Sequence, residues 1–109
     1  MLYLASPYSH EDPAVIAYRS RAAREAALRL KQSGLVVFSP VVYGEQFPEL
    51  PGDWASWRFY CLGWLAPASA LVVLQLDGWA KSTGVTAEIQ FAREKKKPIF
   101  YLRPSDAGI

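Results

Sequence analysis

Four short, nearly uninterrupted apolar runs punctuate the chain: Met1 to Ala5, Leu35 to Phe38, Ala70 to Leu76 and Pro98 to Leu102. None shows the apolar–polar alternation of a strand with one wet face, so each predicts a strand buried on both sides. Ser6-Pro7 and Ser39-Pro40 close the first two, because a proline turns the chain out into a loop. Between the runs lie segments of helical character. Asp12-Pro13 reads as the start of a first helix, with Asp12 as cap and Pro13 at the first helical position; Ser33-Gly34 ends it after about Gln32. Asp53 can cap a second helix that carries Trp54, Trp57, Cys61, Trp64 and Leu65 on one side and stops at Pro67. A third helix runs from about Thr83 to Lys95. Gly44 to Gly52, with Pro48 and Pro51, is expected as loop, and the residues after Leu102 as a polar tail.

Strands alternating with helices predict an α/β domain whose parallel sheet is covered on both faces. With right-handed crossovers this gives a doubly wound, Rossmann-like three-layer fold, about four strands in the order 2-1-3-4. Residues 1–109 form one such domain, without repeat or linker. In that order the chain reverses direction between strands one and three. The loops Ser6-Pro7-Tyr8 and Asp77 to Gly84 should therefore meet at the carboxyl edge, where folds of this kind bind ligands.

Composition narrows the function classes. A chain of 109 residues has room for one core, and 51% hydrophobic with 20% charged residues is globular, not disordered. A net charge of +2 without a basic stripe argues against a nucleic-acid polymer as partner. Lys95-Lys96-Lys97 is the one basic run, and it falls where it complements a helix C-terminus. Cys61 is the only cysteine, so no internal disulfide forms, and a lone His10 leaves no zinc spacing. No cofactor or metal is expected. The apolar stretches are strand-length, and the N-terminus lacks the pattern of a signal peptide, so no membrane association and a cytoplasmic location are expected.

Candidate chemistry gathers in Asp77-Gly78-Trp79-Ala80-Lys81-Ser82-Thr83-Gly84-Val85-Thr86-Ala87-Glu88. Ser82 can cap the third helix beside free backbone N–H groups that attract an anion such as phosphate. Gly84 lets a ligand approach the first turn. Glu88 borders the buried stripe of its helix; it is either a solvated surface glutamate or a half-buried nucleophile or base. Asp77 is either a turn residue or a functional carboxylate at the end of a central strand. Trp79 either stacks on a base or packs. Arg19 falls inside the apolar stripe formed by Val15, Ala22, Ala23, Ala26 and Leu30, where it needs a carboxylate or a bound anion; a structural ion pair is the expectation. Phe59 and Tyr60 lie off the apolar side of the second helix, which points to a homo-oligomer formed through that helix.

Tyr3-Leu4-Ala5-Ser6-Pro7, the stretch Ser82-x-Gly84-Val85-x-x-Glu88 and the closing Lys97-Pro98-Ile99 resemble the nucleoside 2-deoxyribosyltransferase superfamily, which includes the deoxynucleoside 5′-monophosphate N-glycosidases. The chain is similar to small bacterial and phage members with an Ala-Ser-Pro-Tyr opening and Asp-Gly-Trp before the serine. The resemblance implies that Glu88 attacks the anomeric carbon of the sugar, that Ser82 contacts a 5′-phosphate, and that Tyr3 and the loop after it line the sugar pocket. It also implies an oligomer in which a neighbouring subunit closes the site. Two positions depart from the pattern. Cys61 stands where the relatives carry a proton-donating or orienting aspartate, with Asp77 as the stand-in, and Tyr8 stands where the monophosphate branch carries an arginine. The expected activity is cleavage or exchange of the N-glycosidic bond of a deoxynucleoside or its 5′-monophosphate. The alternative, which Cys61 favours, is a nucleotide-binding or sensing module without chemistry.

Overall fold

The computed structural model describes residues 1–109. Strands β1 (Leu2–Ala5), β2 (Val37–Phe38), β3 (Ala70–Leu74) and β4 (Ile99–Leu102) alternate with helices α1 (Pro13–Gln32), α2 (Pro40–Gly44), α3 (Trp54–Leu65) and α4 (Thr83–Glu94). The four strands form one sheet in the order β2-β1-β3-β4, and every pairing is parallel. In the central pair Leu2 lies opposite Ala70 and Ala5 opposite Val73.

Side chains of a strand point alternately to the two faces, and the core divides accordingly. Tyr3, Ala5, Leu71 and Val73 pack with Cys61 and Leu65 of α3 and with Val85 and Ala92 of α4. Leu4, Val72 and Leu74 pack on the other side against Ala22, Ala26 and Ala27 of α1. Alanines along α1 let that helix approach the sheet closely. The result is three layers, α1 on one face and α3 with α4 on the other.

Local chemistry sets the helix ends. Asp12 accepts from the Ala14 N–H at 2.9 Å and Asp53 from Ser56 at 3.2 Å. Ser82 accepts from Val85 at 3.3 Å. Each cap contributes about 1 kcal/mol by satisfying a donor that the helix itself cannot. Gly34, at φ +89°, takes the left-handed conformation that lets α1 turn off towards β2.

Three sequence expectations need correction. The second strand shrinks to Val37–Phe38 because it is a sheet edge: nothing covers Val36, which is 71% exposed. Phe100 and Tyr101 of β4 are likewise exposed on the opposite edge, so only β1 and β3 are buried on both faces. Pro40 starts the short helix α2, with the Ser39 hydroxyl accepting from the Val42 N–H at 3.2 Å. The polar tail turns through a 3-10 segment, Pro104–Ala107, that seats Ala107 in the core. No helix is long and apolar enough to cross a membrane.

Candidate functional site

The β1–α1 and β3–α4 loops leave adjacent parallel strands and converge at their carboxyl ends, as the strand order requires. Between them and the start of α3 opens a cavity of about 1150 Å³. That is enough for a small ligand and several waters. Its walls combine Ser6 and Tyr8 of the first loop, Arg19 of α1, Trp54, Trp57 and Cys61 of α3, and Lys81 to Val85 with Glu88 at the start of α4.

Glu88 sits on the second turn of α4, on the face that meets the sheet. It is only 4% exposed, and it opens onto the cavity. Because odd-numbered residues of β1 face α3 and α4, the Tyr3 ring points at α4, and its hydroxyl donates a hydrogen bond to the Glu88 carboxyl. Burial pushes the Glu88 carboxyl up to about 8, against the Tyr3 hydrogen bond, which favours the ionised form. Burial, then the neighbouring Glu88 charge, pushes the Tyr3 phenol far above its ordinary value, so it stays a donor. Cys61 closes the group beside Tyr3, and its thiol is pushed up to about 11, chiefly by burial. Two reluctant acids, Tyr3 and Cys61, therefore flank a carboxyl that binds its proton at neutral pH.

The sequence-derived residues separate into two sets. Ser6, Tyr8, Arg19, Ser82, Gly84 and Glu88 line the cavity. Tyr3 does not: it is fully buried behind Glu88 and orients it. Pro7 is buried in the turn of the first loop. Asp77 is exposed and outside the cavity lining; its contribution is a backbone carbonyl that accepts from Arg19 at 2.9 Å. Trp79 packs on Tyr101 with ring centroids 5.6 Å apart, and it too lies off the cavity wall.

Arg19 corrects the expectation of an ion pair. It is 8% exposed and has no acidic partner; its guanidinium donates to the carbonyls of Ser9 at 2.7 Å and Asp77 at 2.9 Å. It thereby ties the two site loops together. Gly78 permits this, since its φ is +88° and a Cβ there would fall 2.8 Å from the guanidinium. Gly84 lines the cavity, and its lack of a side chain also serves packing. A Cβ there would lie 3.1 Å from the Trp54 indole, so the missing side chain admits Trp54 to the start of α4.

Trp54 and Trp57, on the apolar side of α3, pack half-buried against the core and also form an aromatic wall of the cavity. The signal for Trp54 was its place directly after a helix cap, where a side chain borders a loop opening instead of the sheet. No group of three or more His, Cys, Asp or Glu is gathered to hold a metal ion.

No curated protein matches the chain. Residues 1–103 match the family model described as "Domain of unknown function (DUF1937)", and the chain belongs to that family.

Proposed function

We propose that this protein is a cytoplasmic enzyme that cleaves or exchanges the N-glycosidic bond of a deoxynucleoside or its 5′-monophosphate. The observation that carries this reading is one carboxyl, Glu88, buried to 4% exposure, held from behind by the Tyr3 hydroxyl and facing a ligand-sized cavity at the switch point of the sheet. A glutamate on a helix is ordinarily solvated; one kept in this setting at the cost of desolvation marks a functional group. The resemblance to the nucleoside 2-deoxyribosyltransferases supplies the reaction class.

In this mechanism the ionised Glu88 attacks C1′ as the C1′–N bond breaks through an oxocarbenium-like transition state, leaving a sugar ester on Glu88. The departing base takes one proton. Asp77 is not among the residues that line the cavity, whereas Tyr8, His10 and Lys81 line it and carry exchangeable protons. Water, or a second base, then displaces Glu88 from C1′, and the configuration is retained. The base lies against Trp54, whose apolar ring face suits a purine or pyrimidine.

Cys61 favours a second reading, a nucleotide-binding module without chemistry, because a thiol pushed up to about 11 is a poor proton donor at neutral pH. One experiment separates the two. Purified protein is offered deoxynucleosides and their 5′-monophosphates, and free base is followed by chromatography. The enzyme reading expects release that Glu88→Gln abolishes. Ligand-induced thermal stabilisation with no release establishes the binding module instead.

A further inference from the structure

Beside the main cavity lies a second, smaller hollow of about 240 Å³ whose walls are largely aromatic. Trp57 and Tyr60 stand three residues apart on one face of α3, and their rings meet edge to face, 85° apart with centroids 5.4 Å from each other. Tyr43, in the last turn of α2, stacks on Tyr60 at 5.3 Å, and Phe47 of the following loop tilts against Tyr43 at 5.2 Å. Four rings therefore run in an unbroken arc around the hollow, with Leu50 and Pro51 beside them.

The arc is held from outside. The Trp57 indole N–H donates to the Pro51 carbonyl at 2.6 Å, and the far edge of its ring rests over Gly44. Tyr43 leans on Phe38, which is itself stacked on Trp64. Rings fixed in this way meet a ligand with little further loss of side-chain freedom. Yet Phe47, Leu50 and Tyr60 stay exposed. The cation–π contacts of the chain lie elsewhere, Arg58 on Phe59 and Lys95 on Phe91, so these four faces have no cation of their own.

The local charge is negative. From Tyr43 to Tyr60 the chain carries three carboxylates, Glu45, Glu49 and Asp53, against one cation, Arg58. Asp53 is tied to the lining, since the hydroxyl of Ser56 donates to it at 2.7 Å. An aromatic face is itself the negative side of the ring, so rings and carboxylates favour the same sign of ligand. The hollow is smaller than the roughly 300–1,000 Å³ of a site for a drug-sized ligand, so it suits one compact group.

We propose that Tyr43, Phe47, Trp57 and Tyr60 form an aromatic cage for the quaternary ammonium group of a small molecule. Such a group combines a positive charge with an apolar, weakly hydrated surface, and ring faces answer both. Phe47, Leu50 and Trp57 line both hollows, so the occupant touches a wall of the main small-molecule cavity. The cage goes beyond the nucleoside reading and does not depend on Glu88.

Choline is the probe, and its uncharged isostere 3,3-dimethylbutan-1-ol is the control. Each is titrated at constant ionic strength into protein labelled with ¹⁵N at tryptophan. A saturable shift of the Trp57 indole N–H is expected, with choline bound at least about fivefold more tightly than the isostere. No saturable shift at Trp57 overturns the cage, and equal affinities reduce it to an apolar dent. Tyr60→Leu keeps apolar bulk and removes one ring face, so it should weaken choline at least about threefold and leave the isostere unchanged. Equal weakening of both means altered shape and refutes the cation role. If Tyr60→Leu does not fold, Phe47→Leu in the exposed loop is read in the same way. A trimethyl-lysine peptide that binds more tightly than choline would overturn the small-molecule assignment in favour of a protein partner.

Discussion

The Tyr3 hydroxyl on β1 donates to the Glu88 carboxyl on α4 across the seam where sheet and helix pack. The two residues are separated by most of the chain, and the parallel pairing of β1 with β3 is what brings them together. Each explains the other's burial: the phenol has its acceptor, and the carboxyl keeps one fixed partner while its other side faces the cavity. The pair orients a carboxyl and sets the pH at which it ionises.

That pH has a consequence for stability. Glu88 titrates near 8 when folded, against an ordinary 4.5, so folding favours its protonated form. Between those values the folded state holds a proton that the unfolded state has released, and stability falls as pH rises through the window. The loss is on the order of a few kcal/mol. Glu88→Gln keeps the Tyr3 hydrogen bond and removes the titration. Calorimetric melts from pH 5 to 9 should show the wild-type Tm dropping and the variant overtaking it above pH 7. Parallel curves would mean that Glu88 does not titrate in this range.

Catalysis should run the opposite way. A nucleophile must be ionised, so kcat/KM for base release should climb with pH and level off above about 8. Tyr3→Phe removes the hydrogen bond that favours the carboxylate, so the rising limb should move to higher pH and the rate at neutral pH should fall roughly tenfold. The isosteric ring keeps the core filled, and losing the partner of a buried group costs about 1–3 kcal/mol. A pH profile unchanged in Tyr3→Phe would show that the phenol does not tune Glu88.

The strand order and the meeting of the two site loops were legible in the sequence, because uninterrupted apolar runs and capped helices leave few arrangements of a parallel sheet. Glu88 stood out through its phase on α4. The partners of Arg19 were not legible: a pattern shows that a cation falls in an apolar stripe, but not that loop carbonyls reach it. That Trp54 and Trp57 line the cavity as well as pack on the core was hidden for a related reason. Helical periodicity identifies a face, and both a core and a cavity wall present an apolar one. Loop position and the family resemblance both draw Asp77 and Trp79 to the site, whereas the 3-10 turn at Trp79–Lys81 carries Trp79 onto Tyr101 and leaves Asp77 in solvent.

Trp54 is the base platform of the proposed complex. Stacking on an aromatic ring is worth about 1–3 kcal/mol per base, so Trp54→Ala should weaken deoxynucleoside binding by roughly tenfold to a hundredfold. Trp79→Ala, on the far side of the α4 entry turn, should leave affinity within about threefold. Calorimetry with one deoxynucleoside checks both, and equal losses in the two variants would remove Trp54 from the ligand.

Gly78 links backbone conformation to the position of Arg19. Its φ of +88° is costly for any residue with a Cβ, and that atom would come 2.8 Å from the guanidinium. Gly78→Ala should lower stability by about 1–2 kcal/mol through backbone strain and displace Arg19 from the Asp77 carbonyl. Gly63, which has open space around it, makes the control: Gly63→Ala in the interior of α3 should stabilise by about 0.5–1 kcal/mol. Chemical denaturation of both variants measures the difference, and similar midpoints would show that the Gly78 turn carries no strain.

The outer face of α3 carries the proposal of a homo-oligomer. Phe59 is 82% exposed, with Tyr60 and Trp64 also exposed nearby on the same helix. Tyr60, Tyr43 and Phe38 continue the aromatic surface through stacked and tilted contacts to Trp64 and Phe47. A ring as open as Phe59 adds nothing to the monomer core, so an aspartate there should leave the fold intact while a charge in an apolar contact opposes association. Light scattering behind size exclusion should give wild type a mass at least twice the 12.2 kDa of one chain, and Phe59→Asp the mass of a single chain at unchanged Tm. A wild type that runs as a single chain at micromolar concentration would leave the cavity to be completed by its own residues, and the partner-closed site would be abandoned.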